Sequence, residues 1–233
     1  MSKNIIIAID GPASSGKSTS AKMVAQKLGF LYIDTGAMYR AITYLAMRNN
    51  ILGKENKIIE LAGRSNIELF FVNGITQISV NGEDLTNYIR TIEVNKNVSD
   101  VSKIEGVRKI LVNKQREMGN TEPGVVMEGR DITTVVFPDA DVKIFLTASI
   151  DERASRRAKE YAENGTEIPV AKIKENLQRR DNIDSNRKVS PLKQVEDAVV
   201  VDTSNVSIEE QVNLILDEVK ETADKLGIEL EIN

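Results

Sequence analysis

"NIIIAIDGPASSGKSTSAKMVAQKL" runs from Asn4 to Leu28, and its reading decides the fold. Asn4–Asp10 is a short β-branched run, as expected of a strand buried on both faces. Gly and Pro break it at once, and a helical pattern occupies Ser18–Leu28. Between them "GPASSGKS", Gly11–Ser18, fits G-x-x-x-x-G-K-[ST]. The spacing has a mechanical reason. Successive backbone N–H groups curl into a nest for phosphate oxygens, and glycines permit the angles. Lys17 reaches the β and γ phosphates, the Ser18 hydroxyl can ligate Mg²⁺, and the new helix adds its positive N-terminal end. The cradle comprises Gly11, Pro12, Ala13, Ser14, Ser15, Gly16, Lys17, Ser18 and Thr19. A chain of this length would match by chance on the order of 1% of the time. The bland alternative, a Gly-rich turn with an exposed lysine, must also treat the flanking strand and helix as coincidence.

Working outward, strand and helix patterns alternate. "FLYID" ends at Asp34, and "AMYRAITYLAMRNN" reads as a helix. "IELFFV-NG-ITQISV-NG" then gives two runs of high β propensity around Asn73-Gly74, followed by Asn81-Gly82. Asn-Gly supplies the positive φ angles of tight hairpins. Residues 63–90 therefore read as a small antiparallel insertion. Helical patterns resume over Glu93–Met118. Strands "GVVME" and "VKIFLT" follow, then two charged helical stretches over Asp151–Asp184, a last strand "AVVVDT", and a helix over Ser207–Leu226. The alternation predicts an α/β fold with a parallel sheet covered by helices on both faces.

Composition narrows the chemistry. The 233 residues suit one α/β domain, perhaps with a small appendage. Lys plus Arg total 31 against 35 Asp plus Glu, a net charge of -4, which disfavours polymeric DNA or RNA as partner. A cleft can still be positive on an acidic protein. There is no Cys and no His, which removes disulfides, thiolate nucleophiles, zinc–thiolate sites and imidazole acids or bases. The N-terminal apolar run is too short for a signal peptide, and no run approaches a membrane span. The expectation is a soluble, cytoplasmic protein.

"GVVMEGRDITTVVFPDADVKIFL", Gly124–Leu146, poses a question. Arg130 and Asp131 interrupt two apolar runs. They form either a plain salt link or part of a binding site; neighbouring side chains on a strand point to opposite faces, which speaks against the link. A GTPase is not expected, because Asn95-Lys96 and Asn113-Lys114 have Val98 and Arg116 where Asp is needed. A short chain with a phosphate cradle and several Arg clusters points to transfer between two small phosphorylated molecules. The alternatives are another small kinase, acting on UMP, AMP or a small metabolite, or a non-catalytic ATP-binding switch.

"IDGPASSGKST", "DTGAMYRA", "EGRDITTVVFPDADVKIFL" and "RRDNIDSNRKVSPL" together resemble the bacterial cytidylate kinases, in that order and over nearly the whole chain. The resemblance implies transfer of the γ-phosphoryl group of ATP to CMP or dCMP with Mg²⁺. It also implies a P-loop NTPase core of the nucleoside monophosphate kinase type, residues 1–62 and 91–233, with an inserted acceptor-binding subdomain at 63–90. A helical lid falls at about 151–184, and the family suggests a monomer. Arg130 becomes a phosphate ligand and Asp131 a reader of cytosine; a carboxylate accepts from an exocyclic amino group that uracil lacks. Thr35, Tyr39 and Arg40 would hold the acceptor, with Arg40 on its phosphate; Tyr39 reads equally as core. Ser99 and Arg108 would touch the cytosine ring. Arg180 would bind phosphate, and Asp184 and Arg187 the ribose hydroxyls. By itself that charged helix would read as a solvated face. Some family members have Asp where this chain has Glu128, which bears on the metal's outer shell. "DERASRRAKEYAENGTEIPVAKIKENLQRRD", with five Arg and an Asn164-Gly165 break, is the lid, and Lys17, Arg153, Arg157 and Arg180 are the candidate catalytic residues.

Overall fold

A computed structural model of the protein describes residues 4–72, 75–120, 123–163 and 165–232. The β-branched run forms strand β1, Ile5–Asp10, and the helical pattern after the cradle forms α1, Lys17–Leu28. Then come β2 (Leu31–Asp34), α2 (Thr35–Arg48), α3 (Glu55–Arg64), β3 (Ile67–Val72), β4 (Ile75–Val80) and β5 (Glu83–Asp84). The second half contains α4 (Ile92–Ser102), α5 (Glu105–Gly119), β6 (Gly124–Gly129), a π-helical turn (Ile132–Val136), β7 (Val142–Thr147), α6 (Ile150–Glu163), α7 (Val170–Asn186), β8 (Val199–Asp202) and α8 (Ile208–Leu226).

Five strands make a parallel sheet in the order β2-β6-β1-β7-β8. Period-two alternation assigns the faces. Ile5, Ile7 and Ile9 pack with Val126, Ile144 and Leu146 under α1 and α8. Ala8, Val125 and Met127 face the other way, against Val112 of α5 and Ile132 of the π turn. The chain leaves β1 between β6 and β7, so the carboxyl ends of the central strands open a crevice where α/β sheets bind ligands.

β3, β4 and β5 form a separate antiparallel sheet. Asn81 and Gly82 both take positive φ, at 53° and 81°, and make the turn into β5 as the hairpin chemistry requires. The other expected turn, Asn73-Gly74, lies outside the described residues, as does Asn164. Ile67, Ile78, Val80, Leu85 and Ile89 of this segment share a core with α2, α3, α4 and α5. Helix α3 was not expected. It is short, and only Ile58, Leu61 and Ala62 are buried on it, so its pattern is faint against its polar flanks. The helical patterns expected over 93–118 form two helices, separated at Lys103–Ile104.

Candidate functional site

The loop between β1 and α1 is held in shape by backbone demands. Gly11 has φ 150°, and a Cβ there would lie 1.9 Å from the Leu146 carbonyl oxygen. Gly16 has φ 95°. Lys17 Nζ donates to the Pro12 carbonyl at 2.6 Å and to Ser15 Oγ at 3.2 Å, curling over the loop. Burial, then the Arg130 charge, pulls its ammonium down to about 7. The loop residues Ala13–Thr19 line a cleft of about 750 Å³, whereas Gly11 and Pro12 sit behind it.

The facing wall is built of guanidinium groups. Arg40, Arg130, Arg157, Arg180 and Arg187 all line the cleft. Arg40 Nη2 reaches Asp34 Oδ2 at 2.7 Å, and Arg90 Nη2 reaches the same oxygen at 3.0 Å. Asp34 Oδ1 accepts from Ala37 N at 3.0 Å and so caps α2. Burial works against the Asp34 anion, but Arg40 and Arg90 hold its carboxyl at about 2. Arg130 Nε pairs with Asp184 Oδ2 at 3.2 Å. Burial, then Arg130, lowers Arg180 to about 10. Arg40 Nε and Arg180 Nε are buried without a hydrogen-bond partner. Such crowding of cations calls for an anion with several oxygens.

Arg130 pairs with Asp184 rather than with its neighbour Asp131. Asp131 instead pairs with Arg108, and Arg187 Nη2 lies 3.9 Å from its other oxygen. Arg108 Nη1 also donates to the Ser102 carbonyl at 3.0 Å. Asp131, Arg108, Ser99 and Ser102 all line the cleft. Tyr39 belongs both to the core and to the cleft lining. Its ring belongs to the core and stacks under Arg108, 5.2 Å from the guanidinium carbon, while its edge reaches the cleft. Thr35 lines the cleft, its hydroxyl donating to the Glu128 carbonyl at 2.7 Å.

Arg153 departs from expectation. It is buried outside the cleft wall and donates to the carbonyls of Ala148 and Ala13, at 3.0 and 3.2 Å, and to Asp181 at 2.6 Å. It braces the phosphate loop against α7 rather than reaching into the cleft. Arg157 does line the cleft, held on its own helix by Glu160 at 2.7 Å and by the face of Tyr161.

Several cleft groups escaped the sequence reading. Arg90, Lys22, Asn95, Arg156 and Gln211 all contribute to the lining. Arg156 donates to Thr203, whose hydroxyl bonds the Ser15 carbonyl at 3.0 Å, tying α6 to the phosphate loop. Asp10 accepts from Ile132 N, Thr133 N and Thr133 Oγ1 at 3.0, 2.8 and 2.7 Å, pinning the segment after Asp131. Its place at the end of β1, directly before the cradle, was the available signal. Arg90 had none, being an isolated residue after the hairpin.

Among the described residues no group of three or more acidic or imidazole side chains could hold a metal by itself. The Ser18 hydroxyl and the Glu128 carboxylate both line the cleft, which suits Mg²⁺, an ion usually completed by waters and substrate phosphates.

The Lys17 shift carries a pH prediction. Between about 7 and its ordinary 10.5, the free folded protein binds fewer protons than the unfolded chain, so stability rises with pH there. A phosphate beside Lys17 restores its proton. ATP binding near pH 8 is therefore expected to take up a fraction of a proton approaching one. Calorimetry in buffers of different ionisation enthalpy measures this, and zero uptake contradicts it.

Comparison with known proteins supplies the family. The sequence model of the family described as "Cytidylate kinase" matches residues 7–221. A cytidylate kinase of Bacillus subtilis (strain 168) is 48% identical over 222 residues, covering 95% of this chain and 99% of the relative. One of Desulforamulus reducens is 53% identical over 217 residues, covering 93% and 97%. Among solved structures, a gluconokinase from Sinorhizobium meliloti 1021 superposes with a TM-score of 0.51 at 16% identity, covering 96% of this chain and 95% of that one, a likeness of fold alone. With a phosphate loop and an arginine wall facing each other, and with this match over most of its length, the chain belongs to the cytidylate kinase family.

Proposed function

We propose that the protein transfers the γ-phosphoryl group of ATP to CMP or dCMP, giving CDP or dCDP. One observation carries the reading. A main-chain phosphate loop and a guanidinium cluster line the same cleft, together with Asp131.

The residues divide the work. The 11–19 loop and Lys17 hold the triphosphate. Arg40, Arg130 and Arg180 hold the acceptor phosphate, and Asp184 and Arg187 its ribose. Asp131, supported by Arg108 and Ser99, accepts from the cytosine amino group. Residues 63–90 act as an acceptor-side subdomain and 151–184 as a lid. Ser18 and Glu128 would hold Mg²⁺, which would supply positive charge against the phosphates. An oxygen of the CMP phosphate attacks the γ-phosphorus in line as the bond to the β-phosphate oxygen breaks. That oxygen is already ionised near neutral pH, so no general base is needed and the lack of histidine is no obstacle. The protein's contribution is positioning and charge stabilisation. It works on small soluble substrates, as a cytoplasmic monomer.

An ADP-release assay across acceptors tests the reading. CMP and dCMP should lead, with UMP well behind. ADP release that ignores every acceptor would overturn it in favour of an ATP-binding switch.

Arg157→Ala provides a narrower prediction. Arg157 sits at the cleft edge, parked on Glu160 and Tyr161, and swings to the transferred group when the lid closes. Removing one such donor is expected to lower kcat about 100-fold with CMP affinity changed less than about threefold. Single-turnover kinetics with CMP titration separates the two, and an unchanged kcat removes Arg157 from the chemistry.

A further inference from the structure

Glu128 stands at the carboxyl end of β6, 4% exposed, on the floor of the cleft. Two contacts anchor it. The Thr35 hydroxyl holds its carbonyl, and the Tyr32 hydroxyl donates to its Oε1 at 2.6 Å. The sheet register explains the second contact. Tyr32 of β2 lies opposite Val126, so Glu128, two residues further along the same face of β6, is its diagonal neighbour. With strands about 4.8 Å apart and a two-residue rise of about 6.6 Å, such neighbours on a parallel pair are about 8 Å apart at the backbone, within reach of long side chains. A glutamate spans that gap to a tyrosine hydroxyl; an aspartate is one methylene short. Tyr32 is 2% exposed, and burial, then the Glu128 charge, holds its hydroxyl well above its ordinary value, so it stays a donor at neutral pH.

The Tyr32 ring is itself held from outside the parallel sheet. Phe71 of β3 meets it edge-on, ring centres 5.0 Å apart at 65°. Lys22 Nζ lies 5.8 Å from the ring centre. A continuous contact thus runs from the antiparallel sheet through Phe71 and Tyr32 to a carboxylate in the cleft. Nothing in the phosphoryl transfer itself uses Tyr32 or Phe71.

We propose that Tyr32 is a positioning residue for the Glu128 carboxylate, and that Phe71, by fixing the Tyr32 ring, makes the seating of the antiparallel sheet set where that carboxylate stands. The inference rests on the proposed reaction for its kinetic readout, but not for its binding readout. Partners of this kind, one step removed from a metal or its waters, typically change affinity or rate by about 10–100-fold when removed.

The test uses the full chain with Tyr32→Phe, Phe71→Leu, Glu128→Asp and the Tyr32→Phe/Glu128→Asp double variant. Three quantities are read: kcat and KM for CMP, Mn²⁺ affinity in the presence of a non-hydrolysable ATP analogue by electron paramagnetic resonance, and the melting temperature. Tyr32→Phe is expected to lower kcat and weaken Mn²⁺ binding each by about tenfold, with KM for CMP changed less than about twofold. Phe71→Leu should move both in the same direction by about threefold. In the Glu128→Asp background, where the contact is already broken, Tyr32→Phe should add nothing. Additive effects, or Tyr32→Phe with unchanged kcat and Mn²⁺ affinity, overturn the proposal. If CMP is not phosphorylated but the Mn²⁺ effects remain non-additive, the positioning role stands and the assigned reaction falls.

Discussion

Lys17→Met is expected to lower kcat about 1,000-fold, a loss of about 4 kcal/mol of transition-state stabilisation. The ammonium is the fixed cation of the phosphate loop, 4% exposed, directed at the loop's own carbonyl until a phosphate arrives. Methionine keeps the buried aliphatic stem and removes the charge together with the donors to Pro12 and Ser15. A buried ammonium whose proton is held to about 7 burdens the free fold, so the variant should melt no lower than the parent. Kinetics and melting therefore move apart. Steady-state rates with CMP and thermal melting of the same sample check this, and a variant with parent-like kcat contradicts the role given to Lys17.

Asp131→Asn should collapse the preference for cytosine. The carboxylate can accept from an exocyclic amino group, whereas the amide presents a donor as well as an acceptor and tolerates a carbonyl at that place. A site built around a hydrogen bond rejects analogues lacking it by up to about 10⁴–10⁵-fold, so kcat/KM for CMP is expected to fall by about 10³. UMP should change little, leaving the two acceptors within about tenfold of each other. Asparagine is the right variant because Asp131 has a second duty. Arg108, 1% exposed, and Arg187 both lean on it. Alanine would strand a buried guanidinium at about 3–5 kcal/mol, whereas the amide oxygen still accepts from Arg108. Parallel kcat/KM values for CMP and UMP decide the matter. An unchanged ratio would remove Asp131 as the base reader and leave it a brace for Arg108.

Much of this arrangement was legible in the chain. The cradle could be read because its physics is local, with strand, glycine loop, lysine and helix following within a few residues. Asn81-Gly82 was readable for the same reason. Groups whose meaning depends on remote partners were not. Asp34 looked like the end of a strand, yet it caps one helix and grips Arg40 and Arg90, the latter 56 residues away. Arg153 had the same local surroundings as Arg157, and only the packing of α6 on α7 turned one inward and left the other at the cleft. Tyr32 carried no signal at all, because its partner is 96 residues distant and set by strand register.

The molecule's apolar interior is divided. One body of side chains lies between the parallel sheet, α1 and α8, behind the phosphate loop. Another joins α2, α3, α4 and α5 to the antiparallel sheet, and it meets the parallel strands through Leu69, which packs on both. Mutational drift can therefore act on the halves unequally. Changes that reshape the second body fall mainly on its own packing and reach the parallel sheet through Leu69 and through Phe71 against Tyr32. Such a partition leaves the second body the freer to vary, with one aromatic contact tying it to a carboxylate in the cleft.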